Sequence, residues 1–219
     1  MTDFVTARVN MVESQVRPNG ITDHRIIDAM SGIAREDFVP AERRAIAYVD
    51  EDVLLTGEPV PRYLIEAMAF ARLVHLAEVK AADKVLHVGA ATGYGTAVLA
   101  QLAGRVLALE SDAKLAASAR DNLAGLSNVS VVEGELAQGV KSQAPYDVIV
   151  VEGRIGELPQ SLISQLAEGG RAVAVVGESN MARAQLWTVT GKSVACRPAF
   201  DALVAPLPGF TRKKAAFVF

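Results

Sequence analysis

Apolar and polar positions alternate in blocks along residues 83–178, and these blocks predict a parallel sheet covered by helices. Short continuous apolar runs, such as Val148-Ile149-Val150-Val151, are typical of strands buried on both faces. They alternate with segments in which apolar residues recur at helical spacing. The predicted strands lie near 85–88, 106–109, 129–132, 147–151 and 171–176, and the predicted helices near 94–103, 113–124 and 159–167, with a weaker one near 180–185. The pattern is that of an α/β fold.

The residues on either side of this block have a different pattern. Residues 6–48 show helical spacing interrupted by Pro18-Asn19-Gly20, and a further helix is predicted from about 64 to 77. Residues 49–64 predict a loop with short extended pieces, and late strands are predicted at 186–189 and 215–219, flanking the Pro-rich segment 198–209. We therefore divide the chain into a helical N-terminal extension, residues 1–78, and an α/β domain, residues 79–219, within one compact unit.

Composition narrows the classes of function. The 219 residues carry a net charge of −3, and the one basic cluster, Arg212-Lys213-Lys214, is short, so no nucleic-acid partner is expected. No apolar stretch reaches the roughly 18–20 residues of a membrane helix, and no signal-peptide pattern is present, so no membrane partner is expected. A single cysteine, Cys196, excludes an internal disulfide, and no ligand cluster has metal-site spacing. We expect a cytoplasmic protein without a metal, and the sequence does not predict its oligomeric state.

A strand, a glycine-rich turn and a helix follow one another at residues 85–102 and predict a site for a nucleotide-like ligand. Gly89 and Gly93 lie between an apolar run and helix-forming residues that begin at Thr96. Glycine lets the backbone turn sharply and lets a ligand approach it, and the unpaired amides of a helix N-terminus face the turn. About twenty residues later Glu110 ends the second strand, where a carboxylate can accept hydrogen bonds from both hydroxyls of a ribose.

Two cofactor classes fit this turn. Read as Gly-x-x-x-Gly-x-Gly from Gly89, it resembles the loop of short-chain dehydrogenases, which bind nicotinamide dinucleotides. That family also has a Tyr followed four residues later by Lys, whereas none of the four tyrosines here has a lysine at that offset, and the turn lies about 85 residues into the chain. Read as Gly89-Ala90-Ala91-Thr92-Gly93, it resembles motif I of class I S-adenosylmethionine-dependent methyltransferases.

Further motifs, in order along the chain, resemble protein-L-isoaspartate O-methyltransferases. They cover roughly residues 10–178 and include Ile21-Thr22-Asp23, Arg35-Glu36-Asp37-Phe38-Val39-Pro40, Gly93-Tyr94, Ala144-Pro145-Tyr146-Asp147, Leu158-Pro159 and Glu168-Gly169-Gly170. The resemblance implies a Rossmann-like class I methyltransferase fold with a doubly wound, mostly parallel sheet. It also implies S-adenosylmethionine as methyl donor, with S-adenosylhomocysteine as product. The implied acceptors are damaged Asp and Asn residues in proteins or peptides, so the implied function is methylation of isoaspartyl carboxyl groups in protein repair.

The resemblance also implies a set of site residues. Cofactor contacts are expected from His87, Gly89, Ala91, Gly93, Tyr94, Glu110, Ser111, Glu135, Leu136 and Glu152. Arg62 and Tyr63 are expected to line the acceptor pocket, within the substrate loop of the N-terminal extension. We assign no catalytic acid or base. An isoaspartyl carboxylate is already a nucleophile, and methyl transfer to it requires alignment rather than a general base.

The chain departs from the family's pattern at four places. His87 stands in place of an acid, Ala91 in place of the second loop glycine, and Glu135 in place of an Asp. The family's substrate loop, Thr-Ile-Ser-Gln-Pro, aligns near Tyr63-Leu64-Ile65-Glu66-Ala67, so its hydroxyl is absent here. Two alternatives therefore stay open. The chain could methylate another acceptor, or it could bind S-adenosylmethionine or S-adenosylhomocysteine without turnover.

Overall fold

A computed structural model of the chain describes residues 3–178 and 181–210, and a seven-stranded sheet forms its centre. In sheet order the strands are β5 (Val129–Glu133), β4 (Arg105–Glu110), β3 (Lys84–Val88), β6 (Tyr146–Ile155), β7 (Leu166–Glu178), β8 (Met181–Thr190) and β9 (Ser193–Asp201). The strands from β5 to β7 are parallel, and β8 and β9 are antiparallel to their neighbours. The chain runs outward from β3 to β5 and returns to pair β6 with β3. The predicted α/β fold class is confirmed.

Helices and a small hairpin surround this sheet. The helices are α1 (Phe4–Met11), α2 (His24–Gly32), α3 (Ala67–Ala77), α4 (Tyr94–Leu102), α5 (Ala113–Asn122) and α6 (Gln160–Ile163), and the hairpin consists of β1 (Val53–Thr56) and β2 (Arg62–Leu64). Short polar side chains fix where several helices begin. Asp23 caps α2 by accepting from the Arg25 amide, and Asp112 caps α5 by accepting from the amides of Lys114 and Leu115.

Alternate residues of the central strands face two separate apolar layers. In β3, Val85 packs with the helices α1 to α5, whereas Leu86 packs on the opposite face with α6. Ile149 and Val150 of β6 divide between the layers in the same way. Both faces are therefore buried, which explains the continuous apolar runs of the sequence. The first layer contains residues from both predicted units, and the predicted boundary after residue 78 falls at the end of α3.

The structure corrects several predicted elements beyond residue 158. The weak helix near 180–185 is wrong, because residues from Met181 onward form β8, in which exposed and buried positions alternate against β7. The predicted helix 159–167 is shortened to α6, because Leu166 already begins β7. Strand β9 was not predicted; it lies at the sheet edge, where Pro198 is tolerated. The strand expected at 215–219 and the basic cluster at 212–214 lie outside the described residues.

The helices in the described ranges are short. The longest, α3, has 11 residues, and none of those in residues 3–178 and 181–210 combines the length and apolar character needed to span a bilayer. In the same ranges no three His, Cys, Asp or Glu side chains gather in a way that could hold a metal ion. Cys196 is a free thiol at the surface.

Candidate functional site

The glycine-rich turn lies at the carboxyl end of β3, where the order of strands in the sheet reverses. It is tied to β4, because the amides of Gly89 and Ala90 both donate to the Leu109 carbonyl, at 2.9 and 3.1 Å. Gly89 and Gly93 have φ angles of 82° and 101°, and Ala91 has a φ of 49°. A left-handed conformation costs a residue with a side chain about 1–2 kcal/mol. Ala91 therefore adopts the backbone conformation that a glycine would have at this position, and this lowers the stability of the fold.

Glu110 ends β4 and faces this turn with a fully buried carboxylate. Its oxygens accept hydrogen bonds from the amides of Ala91, Ser111 and Asp112, at 2.8, 2.7 and 2.9 Å. They are also bound by both terminal nitrogens of Arg62 in β2, with 2.7 Å between Nη2 and Oε2. Arg62 was expected in the acceptor pocket. In the structure its guanidinium binds the carboxylate predicted to hold the ribose, and its contact with an acceptor stays a prediction.

A second buried group of polar side chains lies at the start of α4. His87 of β3 places Nδ1 2.8 Å from the Thr96 hydroxyl and Nε2 2.9 Å from Oε2 of Glu152 in β6. The two atoms of this close contact do not meet the geometry of a hydrogen bond, and neither has a hydrogen-bond partner elsewhere among the described residues. Gly95 makes room for them, because a Cβ there would overlap the Glu152 carboxylate. The chain thus has a histidine where the family has an acid, and a carboxylate reaches it from β6.

Tyr94 and Arg35 extend this group toward the N-terminal extension. Burial raises the pKa of Tyr94, the neighbouring Arg35 guanidinium acts in the opposite direction, and the tyrosine hydroxyl makes no hydrogen bond of good geometry in the described part of the chain. The Arg35 guanidinium carbon lies 4.8 Å from the centre of the Tyr94 ring. Two of its nitrogens donate to the carbonyls of Ala47 and Ile65, both at 2.7 Å, while Nη1 is unpaired among the described residues. Buried polar atoms normally make hydrogen bonds, so a group of four that lack one of good geometry suggests a functional site.

The other predicted site residues are more scattered. Ser111 is exposed and contributes its amide to Glu110, and Tyr63 is half-buried in β2. Glu135 is exposed after β5, whereas Leu136 is buried in the apolar layer beside α6. Sequence reasoning missed Leu207, whose side chain covers Gly89. No local pattern could have revealed it, because the contact joins segments far apart along the chain.

A cavity of about 600 Å³ adjoins the turn. Its walls come from the N-terminal extension at Phe38, from the hairpin at Leu55 and from the first turns of α5. Thr92 and Asp112 also line it, but Gly89, Gly93 and Glu110 do not. The open space therefore lies beside the turn, while the turn itself is covered by protein atoms.

Glu66 lies in the segment aligned with the family's substrate loop, and its protonation is expected to make the stability of the protein depend on pH. Burial and then the charges of Asp52 and Asp50 raise its pKa from 4.5 to about 7. Between these values the folded chain binds more protons than the unfolded chain, so the free energy of unfolding falls as pH rises. We expect Glu66→Gln to match the wild type near pH 4.5 and to have a higher Tm at pH 8.

This prediction is tested by thermal unfolding at a series of pH values. Glu42→Gln, at an exposed position outside the site, serves as the control. Wild-type and Glu66→Gln curves of Tm against pH that run parallel from pH 4.5 to 8 would show that Glu66 binds its proton equally well in both states.

The chain is similar to protein-L-isoaspartate O-methyltransferases over most of its length. A family model described as Protein-L-isoaspartate(D-aspartate) O-methyltransferase matches residues 7–204. The protein of that name from Koribacter versatilis is 40% identical over 183 residues, which cover 83% of this chain and 81% of that protein. Protein-L-isoaspartate O-methyltransferase 1 of Rhodopseudomonas palustris is 36% identical over 214 residues, which cover 95% of this chain and 85% of that protein.

Two solved structures show the same fold. One protein-L-isoaspartate O-methyltransferase has a TM-score of 0.80 and 23% identity, over 93% of this chain and 67% of that chain. The protein-L-isoaspartate O-methyltransferase of Plasmodium falciparum, solved with S-adenosyl-L-homocysteine, has a TM-score of 0.73 and 20% identity, over 95% of this chain and 100% of that chain. Of the two cofactor classes that fit the turn, the family match selects S-adenosylmethionine. The chain belongs to the protein-L-isoaspartate O-methyltransferase family and is an S-adenosylmethionine-dependent methyltransferase of protein repair.

Proposed function

We propose that the chain methylates the free carboxyl group of L-isoaspartyl residues in damaged proteins, with the adenosyl end of the donor held between residues 89–93 and Glu110. One observation carries this proposal. The buried Glu110 carboxylate lies at the carboxyl end of β4, beside a turn of nearly bare backbone. Ligands of open α/β sheets bind at this edge, and an acid there is suited to the two hydroxyls of a ribose.

The small residues of the turn and a carboxylate near it are suited to S-adenosylmethionine. A Cβ at Gly89 would lie 3.0 Å from the Glu152 carbonyl and 2.8 Å from the Leu207 side chain, so the position favours a residue without one. Gly93 needs its φ of 101° and has Leu123 against it, so its glycine also serves the fold. At the other end of the turn, Oε2 of Glu152 lies 2.9 Å from Nε2 of His87 without accepting a hydrogen bond in the described part of the chain, so it can accept an N–H from the amino group of the donor.

The protein's contribution to the reaction is alignment and exclusion of water. When bound, S-adenosylmethionine supplies a methyl group on a sulfonium that is its own leaving group. The acceptor carboxylate needs no general base, so the chain has to hold it in line with that methyl group. Aromatic side chains provide an apolar wall beside the turn: the rings of Phe38 and Tyr94 pack edge to face with centroids 5.6 Å apart, and Phe70 lies 6.4 Å from Tyr94.

A second candidate function is methylation of a different acceptor. It is favoured by Ile65, which is buried where the aligned family loop carries a serine. An isoleucine side chain cannot donate a hydrogen bond to a carboxylate, so recognition of an isoaspartyl group would have to come from other groups of the segment. The reaction at the donor would be unchanged.

Two peptides of identical sequence distinguish these functions, one with an L-isoaspartyl residue and one with L-aspartate at the same position. With methyl-labelled S-adenosylmethionine, we expect label on the isoaspartyl peptide alone, released by mild base as a methyl ester should be. Asp201→Asn, which changes an exposed acid of β9, is the matched control and should leave the rate unchanged. Absence of label on both peptides, although the protein binds S-adenosylhomocysteine, would refute isoaspartyl methylation and leave the second candidate.

A further inference from the structure

The Glu110 carboxylate has no free acceptor position in the structure. Five N–H groups bind its two oxygens: the amides of Ala91, Ser111 and Asp112, and both terminal nitrogens of Arg62. A carboxylate offers about four lone-pair directions. The three amides belong to the turn and to the start of α5, so their positions are fixed by the backbone. The Ser111 hydroxyl also donates to Oε1, at the longer distance of 3.4 Å, and Arg62 is the charged donor that can leave by a change of side-chain conformation.

Arg62 reaches Glu110 from the hairpin formed by β1 and β2. The two residues are 48 positions apart, and the arginine side chain is only 4% exposed. A bidentate pairing of guanidinium and carboxylate is directional and strong. The hairpin therefore places a cation on the group that the proposed function assigns to the ribose.

A strap formed by residues 204–207 covers Gly89 in the crevice where the donor is proposed to bind. Leu207 lies against the bare faces of Gly89 and Gly153, where a Cβ would come within 2.8 and 2.9 Å of it. The strap is held by backbone hydrogen bonds to Arg154, with 2.9 Å from the Arg154 amide to the Ala205 carbonyl and 2.8 Å from the Leu207 amide to the Arg154 carbonyl. Asp52 adds a further bond, because its Oδ2 accepts from the Ala205 amide at 2.5 Å.

We propose that Arg62 and Leu207 occupy the donor crevice in the resting protein, and that Arg62 sets the affinity for S-adenosylmethionine by competing with its ribose hydroxyls for Glu110. This inference rests on the proposed function. We call the hairpin with Arg62 a latch, because its guanidinium must leave Glu110 before the cofactor can bind there. Donor binds only to the fraction of molecules in which the guanidinium has moved away, and the measured affinity falls by that fraction.

The structure also offers a place for the displaced guanidinium. A smaller cavity of about 180 Å³ is lined by Pro59, Val60, Arg62, Ser111, Asp112 and Pro208. Asp112 uses Oδ1 to cap α5, where it accepts from the amides of Lys114 and Leu115. Asp112 is one of the residues that line the cavity, so Arg62 can keep an acidic neighbour after leaving Glu110. The latch then opens without exposing an unpaired charge to an apolar interior.

The test is calorimetric titration of S-adenosylhomocysteine into the full chain. We expect Arg62→Gln to bind it about 10- to 100-fold more tightly than the wild type, and Leu207→Ala several-fold more tightly. Arg62→Lys keeps the charge but loses the planar guanidinium, so its Kd should lie between those of the wild type and Arg62→Gln. The matched controls are Arg183→Gln, which breaks an exposed ion pair with Asp201, and Leu203→Ala, at an exposed position just before the strap. Both should leave the Kd unchanged.

Thermal unfolding separates the latch from a purely structural role. A structural arginine would lower the Tm of the variant and leave the Kd as it is, whereas a latch lowers the Tm without ligand and enlarges the shift that S-adenosylhomocysteine produces. Unchanged or weaker binding by both Arg62 variants, with a wild type that binds, would overturn the latch and leave the proposed function standing. If neither the wild type nor any variant binds S-adenosylhomocysteine, then both the latch and the proposed function are overturned.

Discussion

Glu110→Ala should lower the free energy of unfolding by about 3–5 kcal/mol, because it leaves the buried Arg62 guanidinium without its counter-charge. Three backbone amides also lose their acceptor. For a chain of this length such a loss corresponds to a fall in Tm of about 6–20 °C. Binding of S-adenosylhomocysteine should weaken as well, by about 10- to 150-fold, if charge-assisted hydrogen bonds worth about 1.5–3 kcal/mol are lost. Urea unfolding and calorimetric titration measure the two effects separately.

Two controls show whether the loss comes from the buried pair. Asp201→Ala breaks an exposed pair with Arg183 and should cost less than about 1 kcal/mol. The double variant Arg62→Met with Glu110→Gln removes both charges at similar volume, so it should be more stable than Glu110→Ala. If Glu110→Ala costs no more than the exposed control, then Arg62 and Glu110 are not a buried ion pair in solution.

The central sheet and its turn could be predicted because their signals are local. Apolar runs such as Val148-Ile149-Val150-Val151 mark strands buried on both faces, and Gly89 and Gly93 mark the turn that follows β3. The position of Glu110 followed from the length of one helix and one strand after the turn. Each of these inferences needs only residues within about twenty positions of one another.

The contacts that fill the crevice could not be predicted, because they join distant segments. Arg62 meets Glu110, His87 meets Glu152, and Leu207 meets Gly89 only after the sheet has assembled. A guanidinium that binds a carboxylate of its own chain looks the same in the sequence as one that awaits a substrate. Its role therefore depends on the register of the hairpin, which is set by packing.

The segment at 181–190 shows how packing overrides local preference. Methionine, alanine and arginine are good helix formers, and they led to the weak helix predicted near 180–185. The observed strand instead pairs with β7 from Met181 to Thr188, with Val175 opposite Ala184 and Ala172 opposite Trp187. Burial of alternate side chains against the sheet outweighs the intrinsic preference of a few residues.

Arg35→Ala should be the second large loss, because one buried side chain joins three segments around the site. Its nitrogens donate to the carbonyls of Ala47 and Ile65, and its guanidinium lies over the ring of Tyr94. Each buried carbonyl left without a donor costs about 1–3 kcal/mol, so we expect a loss of about 2–6 kcal/mol in the free energy of unfolding. The Ile65 carbonyl belongs to the segment aligned with the substrate loop. We therefore also expect the KM for an isoaspartyl peptide to rise by more than the Kd for S-adenosylhomocysteine.

Arg35→Met separates the hydrogen bonds from the packing in this prediction. Methionine keeps much of the apolar stem of arginine but has no guanidinium, so it should retain the packing of the stem and lose both carbonyl bonds and the charge over the Tyr94 ring. Arg44→Ala removes an exposed arginine from the neighbouring turn and should change neither stability nor KM. A result in which Arg35→Met is as stable as the wild type would assign the role of Arg35 to its stem. An unchanged KM in Arg35→Ala would show that acceptor binding does not depend on the hydrogen bond from Arg35 to the segment around Ile65.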